Sequence, residues 1–149
     1  MNKTNEANNE RHMKKILIVE DDQNIAKALA IRLKSFGYEV TVARDALLGV
    51  STAVKTHPDL VLLDISLPAG TGFTVADRIQ ELLPAATPFI FLTASKQPGL
   101  REKAKELGAA AFFEKPYDAE ELLAAIEVAF ANVPAPGDGI QGIHLVPRA

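Results

Sequence analysis

The 149-residue chain has no cysteine and no tryptophan. The first absence excludes disulfides, thiol catalysis and thiolate metal sites, and fits a reducing cytoplasm. Basic excess is also missing: sixteen Lys and Arg against nineteen Asp and Glu give a formal net charge of -3 and a pI near 5.6. Direct nucleic-acid binding is therefore not expected. No apolar run approaches the ~18–20 residues that span a bilayer. The N-terminus, "MNKTNEANNERHM", places Glu6 and Glu10 where a signal peptide needs an apolar stretch. A soluble cytoplasmic protein without membrane contact is the expectation.

With 48% hydrophobic and 23% charged residues, the chain can bury one ordinary core. The sequence predicts a polar, disordered arm over 1–13, one domain over 14–131, and a flexible tail or linker over 132–149. That tail is rich in proline and glycine. Its "LVPR" (145–148) resembles a thrombin recognition sequence and carries no functional weight.

Between the tails, strand and helix patterns alternate. "KILIVE" (15–20) reads as a buried strand and "DDQNIAKALAIRLKSFG" (21–37) as a helix with acidic capping residues at its start and Gly37 at its end. Ile25, Ala28, Leu29, Leu33 and Phe36 fall at helical spacing. Strand 38–43 and helix 45–57 follow, then strand 59–64, a loop, helix 72–83, strand 88–93, a helix over about 97–107, strand 110–114 and helix 118–131. Five strands alternating with five helices predict a parallel sheet covered on both faces.

In doubly wound sheets, ligands bind beyond the carboxyl ends of the strands. Glu20, Asp21 and Asp22 lie behind the first strand, Asp64 behind the third, Thr93 behind the fourth and Lys115 behind the fifth. If strands one and three are neighbours, Asp64 faces the acidic group. Like charges there would repel by roughly 4 kcal/mol per pair at about 4 Å and an effective dielectric near 20. A hard divalent cation such as Mg²⁺ offsets that, and Lys115 adds a positive charge while Thr93 adds a hydroxyl. The set suits phosphoryl transfer, with Asp64 as candidate nucleophile forming an aspartyl phosphate. Asp22 reads as a cap or solvated neighbour.

These segments resemble the receiver domain of bacterial two-component response regulators over about residues 14–131. "ILIVEDD" resembles the family's acidic pocket, "LVLLDISLP" its phosphoacceptor segment, "FLTA" its switch threonine and "FFEKPY" its Lys-Pro signature. The resemblance implies a flavodoxin-like, CheY-like three-layer sandwich with strand order 2-1-3-4-5. It implies Mg²⁺ at Glu20, Asp21, Asp64 and the Ser66 backbone carbonyl, with Glu20 acting directly or through water. Asp64 would accept the phosphoryl group, Thr93 and Lys115 would contact it, and Thr93 and Phe112 would act as the switch pair. The Lys115–Pro116 bond is expected to be cis. Phe112 and Phe113 should point to opposite faces of the sheet, Phe112 reading either as the switch or as core.

The implied role is a signalling switch rather than an enzyme, one that catalyses its own phosphotransfer and slow dephosphorylation. A sensor histidine kinase or a phosphotransfer protein is the expected partner. The fourth helix, fifth strand and fifth helix form the expected output surface, with a homodimer through that face as one form. "GAAAFF" and "AEELLAAIEVAF" lack the acidic pair and basic residues of winged-helix regulators' dimer faces. A stand-alone receiver, or one from a hybrid kinase, therefore stays open beside a DNA-binding regulator. Ser66 and Ser95 are placed to tune phosphoryl lifetime. A flavodoxin-like FMN binder is disfavoured because "EDD" would repel its phosphate; a haloacid-dehalogenase-like phosphatase is disfavoured because "EDDQN" lacks the D-x-D arrangement. His12, His57 and His144 show no metal-ligand spacing.

Overall fold

A computed structural model describes residues 13–132 of the protein; all but the last residue of the expected arm over 1–13, and all but the first of the expected tail over 132–149, lie outside the described residues. The elements, in chain order, are β1 (Lys15–Val19), α1 (Gln23–Ser35), β2 (Glu39–Ala43), α2 (Ala46–Thr56), β3 (Leu60–Asp64), β4 (Ser66–Leu67), β5 (Gly70–Thr71), α3 (Gly72–Leu82), β6 (Phe89–Thr93), α4 (Leu100–Glu106), β7 (Ala111–Glu114) and α5 (Ala119–Ala131).

Five strands form one parallel sheet in the order β2-β1-β3-β6-β7. Counting only sheet strands, this is the order 2-1-3-4-5 of a flavodoxin-like doubly wound fold. β1 and β3 are therefore hydrogen-bonded neighbours, and the order of connection reverses across them. The short β4–β5 hairpin pairs Ser66 with Thr71 and Leu67 with Gly70. It occupies what the sequence pattern presents as a plain loop.

The strand period of two divides the core. Leu17, Val19, Val61, Leu63, Phe89 and Phe91 face one side, packing with Ala53 of α2, Val75 and Ile79 of α3, and Ala104 of α4. Ile16, Ile18, Leu60, Leu62, Ile90 and Leu92 face the other, against Leu29 and Leu33 of α1 and Leu122 and Ile126 of α5. Full burial of such a side chain contributes about 1.5–3 kcal/mol, so both layers hold the sheet in register.

Three helices start on aspartates that accept backbone N–H groups. Asp22 takes Asn24 and Ile25, Asp45 takes Leu48, and Asp118 takes Glu120 and Glu121. Thr71 and Thr74 form a reciprocal cap on α3. Two readings from the sequence need correction. α1 buries Ala26, Leu29, Ala30 and Leu33, while Ala28 and Phe36 are exposed; short alanines complete the inner stripe where the strand layer lies close. α4 starts at Leu100 rather than near 97, because Pro98 and the left-handed Gly99 (φ 87°) come first.

Candidate functional site

Glu20, Asp21, Asp64, Thr93 and Lys115 stand at the carboxyl ends of the sheet strands, whereas Phe112 lies within β7 and Ser66 opens β4. Glu20 directly follows β1, and its N–H bonds to the Ala43 carbonyl at 2.9 Å. Asp64 is the last residue of β3 and Thr93 the last of β6. Lys115 follows β7, its N–H donating to the Thr93 carbonyl at 2.7 Å. Glu20 and Asp64 are only 4% and 6% exposed, and Thr93 is fully buried. Asp21, on the β1–α1 loop, is exposed.

Carboxylate oxygens of Glu20, Asp21 and Asp64 all lie within 4.8 Å of one another. Lys115 bridges the two buried members: its Nζ donates to Glu20 Oε1 at 2.6 Å and to Asp64 Oδ2 at 3.0 Å. Each carboxylate's other oxygen is held by the backbone, the Asp22 N–H reaching Glu20 Oε2 at 3.1 Å and the Ser66 N–H reaching Asp64 Oδ1 at 3.0 Å. Two buried anions are thus compensated by one ammonium and two N–H donors, which offsets the desolvation their burial imposes.

Burial pushes the Glu20 carboxyl above its ordinary value, outweighing its bonds to Lys115 and the Asp22 N–H, and the nearby Asp64 pushes the same way. For Lys115, burial pulls downward, but the bonds to Glu20 and Asp64 prevail and the ammonium is held above the usual lysine range. Tyr117, stacked at a tilt on Phe113 with ring centroids 6.3 Å apart, is raised by burial. The donor set is all hard oxygen, converging at one point. It fits Mg²⁺, which prefers one or two carboxylates with water and phosphoryl oxygen.

The loop after Asp64 is built to hold it. Ser66 is exposed, and the Pro68–Ala69 tip of the hairpin places Ala69 at φ 66°, with Pro68 and Ala69 in the two central positions. Gly72 opens α3 against the end of β3; a Cβ there would overlap the Asp64 carbonyl oxygen. The Gly72 N–H bonds to the Ile65 carbonyl at 2.9 Å. In the sequence, a glycine at the boundary between the loop after Asp64 and the helical pattern is the signal for this close approach.

The Thr93 hydroxyl accepts the Ser95 N–H at 3.0 Å. Ser66 and Ser95 share a groove of about 610 Å³ with Asp21, Thr71 and Gln97. The Lys115–Pro116 bond is cis. Phe112 and Phe113 pack on opposite faces, both half-buried. Phe112 pairs in register with Phe91, two positions before Thr93. Asp22 serves as the α1 cap.

Doubly wound topology, with a carboxylate cluster and a lysine at the switch point, defines a CheY-like α/β protein. Residues 16–127 match the response regulator receiver domain family. The chain is 38% identical over 115 residues to the DNA-binding dual master transcriptional regulator RpaA of Synechocystis sp., covering 76% of this chain and 48% of that protein. It is 40% identical over 114 residues to the transcriptional regulatory protein DltR of Streptococcus agalactiae, covering 76% and 50%. The chain spans about half the length of these curated relatives. Among solved structures it resembles a CheY-like receiver domain protein of Methanospirillum hungatei (TM-score 0.75, 29% identity, 80% of this chain and 94% of that one). The non-phosphorylated HemR receiver domain of Leptospira biflexa is similar at TM-score 0.72 and 36% identity, covering 78% and 94%. The chain belongs to the response regulator receiver domain family. Among the described residues, no helix is long and apolar enough to cross a membrane.

Proposed function

We propose that this protein is a phosphorylation switch in which Asp64 takes a phosphoryl group from the phosphohistidine of a sensor histidine kinase or phosphotransfer protein. The observation that carries this reading is the convergence of Glu20, Asp21 and Asp64 within 4.8 Å beside the Lys115 ammonium. An Asp64 carboxylate oxygen attacks phosphorus, the P–N bond breaks, and its electron pair leaves with the imidazole nitrogen. An acyl phosphate remains, and water later attacks it to release inorganic phosphate.

Glu20, Asp21, Asp64 and the Ser66 carbonyl would hold Mg²⁺, which neutralises charge on the phosphoryl oxygens. Lys115 supplies an ammonium to those oxygens, and Thr93 supplies its hydroxyl. Tight packing around β3 keeps the nucleophile fixed and leaves only its tip accessible. Redistribution of Thr93 and Lys115 toward the new charge lets Phe112 turn inward, altering the surface formed by α4, β7 and α5. That surface is the output face and the proposed route to a homodimer. The site acts on its own chain, as a switch rather than an enzyme with a separate substrate. The absence of cysteine suits a cytoplasmic setting.

Acetyl phosphate with Mg²⁺ should add one phosphoryl group by intact mass, and chelation of the metal should prevent it. An Asp64→Asn protein that still gained a stable phosphoryl group would overturn the reading.

A further inference from the structure

Phe112 is half-buried on β7, its ring packed against the core cluster that contains Phe91 and Ala104. Over that ring stands the exposed guanidinium of Arg101, its Cζ 4.7 Å from the centroid. Arg101 lies one turn before Ala104 on α4, and Ala104 is buried. The helix therefore rests on the core through Ala104 and covers the aromatic with its neighbouring cation. A second tie between the same regions, Lys96 Nζ to Glu114 at 3.3 Å, is solvent-exposed and contributes little.

We infer that Arg101 is a positioning residue, holding Phe112 in the half-buried setting seen here and so determining how readily the switch turns. The inference rests on the receiver reading of Asp64 and names the chain's own brake on it. A contact biases a two-state equilibrium only if it differs between the states. In the setting seen here the guanidinium covers the ring face, and under the proposal a ring turned further into the core leaves that cover behind. An exposed cation–π contact of this kind is worth about a two- to five-fold change in population.

The test uses the full chain carrying 4-fluorophenylalanine, without metal or phosphodonor, with Phe112 assigned by the signal missing from Phe112→Leu. The fluorine isotope shift between H₂O and D₂O reads solvent contact at the ring. Arg101→Met keeps an unbranched stem over the ring but removes the charge, and the Phe112 shift should shrink as the ring moves inward. Arg101→Lys, which keeps a cation, should stay near wild type. An unchanged or larger shift in Arg101→Met, or equal shifts in the two variants, would overturn the inference. In parallel, phosphoryl uptake from acetyl phosphate and Mg²⁺ should rise about two- to five-fold in Arg101→Met. Wild-type protein that takes up no phosphoryl group would remove the receiver reading, while the isotope shifts would still decide the role of Arg101.

Discussion

At the scale of single residues, Glu20 and Lys115 hold the electrostatic balance, and their protonation gives a pH dependence with a definite sign. Glu20 binds its proton more tightly folded than unfolded, so its contribution to stability is fully present below the ordinary value of 4.5 and is lost as pH rises through the raised value. Lys115 is also raised, so its contribution persists up to the ordinary value of 10.5 and is lost as pH climbs through the folded one. Urea unfolding of the metal-free protein should show a downward slope in stability just above pH 4.5, flattened in Glu20→Gln. A second decline on the alkaline side should be reduced in Lys115→Met. Equal slopes in wild type and Glu20→Gln would contradict the burial argument for Glu20. The strand-end placement of Glu20, Asp64, Thr93 and Lys115 is readable from the sequence, because each stands at the end of an apolar run, Lys115 one residue further on, after Glu114. The 2.6 Å bond between Lys115 and Glu20 is not, because nothing local in the chain specifies which of two carboxylates a lysine 95 residues away will favour.

At the scale of elements, the junction between β3 and α3 concentrates the geometric demands. α3 begins one residue after the β4–β5 hairpin, and the hairpin folds the chain back so that Gly72 meets the end of β3. Gly72→Ala should force the helix start away from the Asp64 backbone and destabilise the fold by about 1–3 kcal/mol. Chemical denaturation would measure that loss, and a change within about 0.5 kcal/mol would show that the junction yields. The same variant should slow phosphoryl uptake, because Asp64 shares the displaced backbone. Strands β1, β3 and β6 are legible as apolar runs, and α1, α2 and α5 carry aspartates at their starts. The hairpin was not legible, since two-residue strands leave no periodic signal. The expected start of α4 near 97 puts Pro98 and Gly99 in a first turn that tolerates proline, whereas Gly99 adopts a left-handed backbone and the helix begins at Leu100.

At the scale of the whole molecule, two apolar layers clamp a sheet whose buried polar residues, Glu20, Asp64 and Thr93, gather at the carboxyl ends of its strands. A cation bound only by the folded site stabilises the fold by RT ln(1 + [L]/Kd), about 2.7 kcal/mol at one hundred times Kd. Thermal unfolding with Mg²⁺ should therefore shift upward by several degrees, and the shift should vanish in Asp21→Asn combined with Asp64→Asn. A persistent shift in that double variant would place the cation elsewhere. The parallel order has a further effect on how the protein comes into being. Glu20 is made early and Lys115 late, and no stretch between them closes the site without the last strand in place. During synthesis, a growing chain that has not yet released β7 from the ribosome carries Asp64 without its lysine. Pairing of the buried carboxylates with their cation thus waits for β7, and a fragment ending before it holds Glu20 and Asp64 without the Lys115 ammonium.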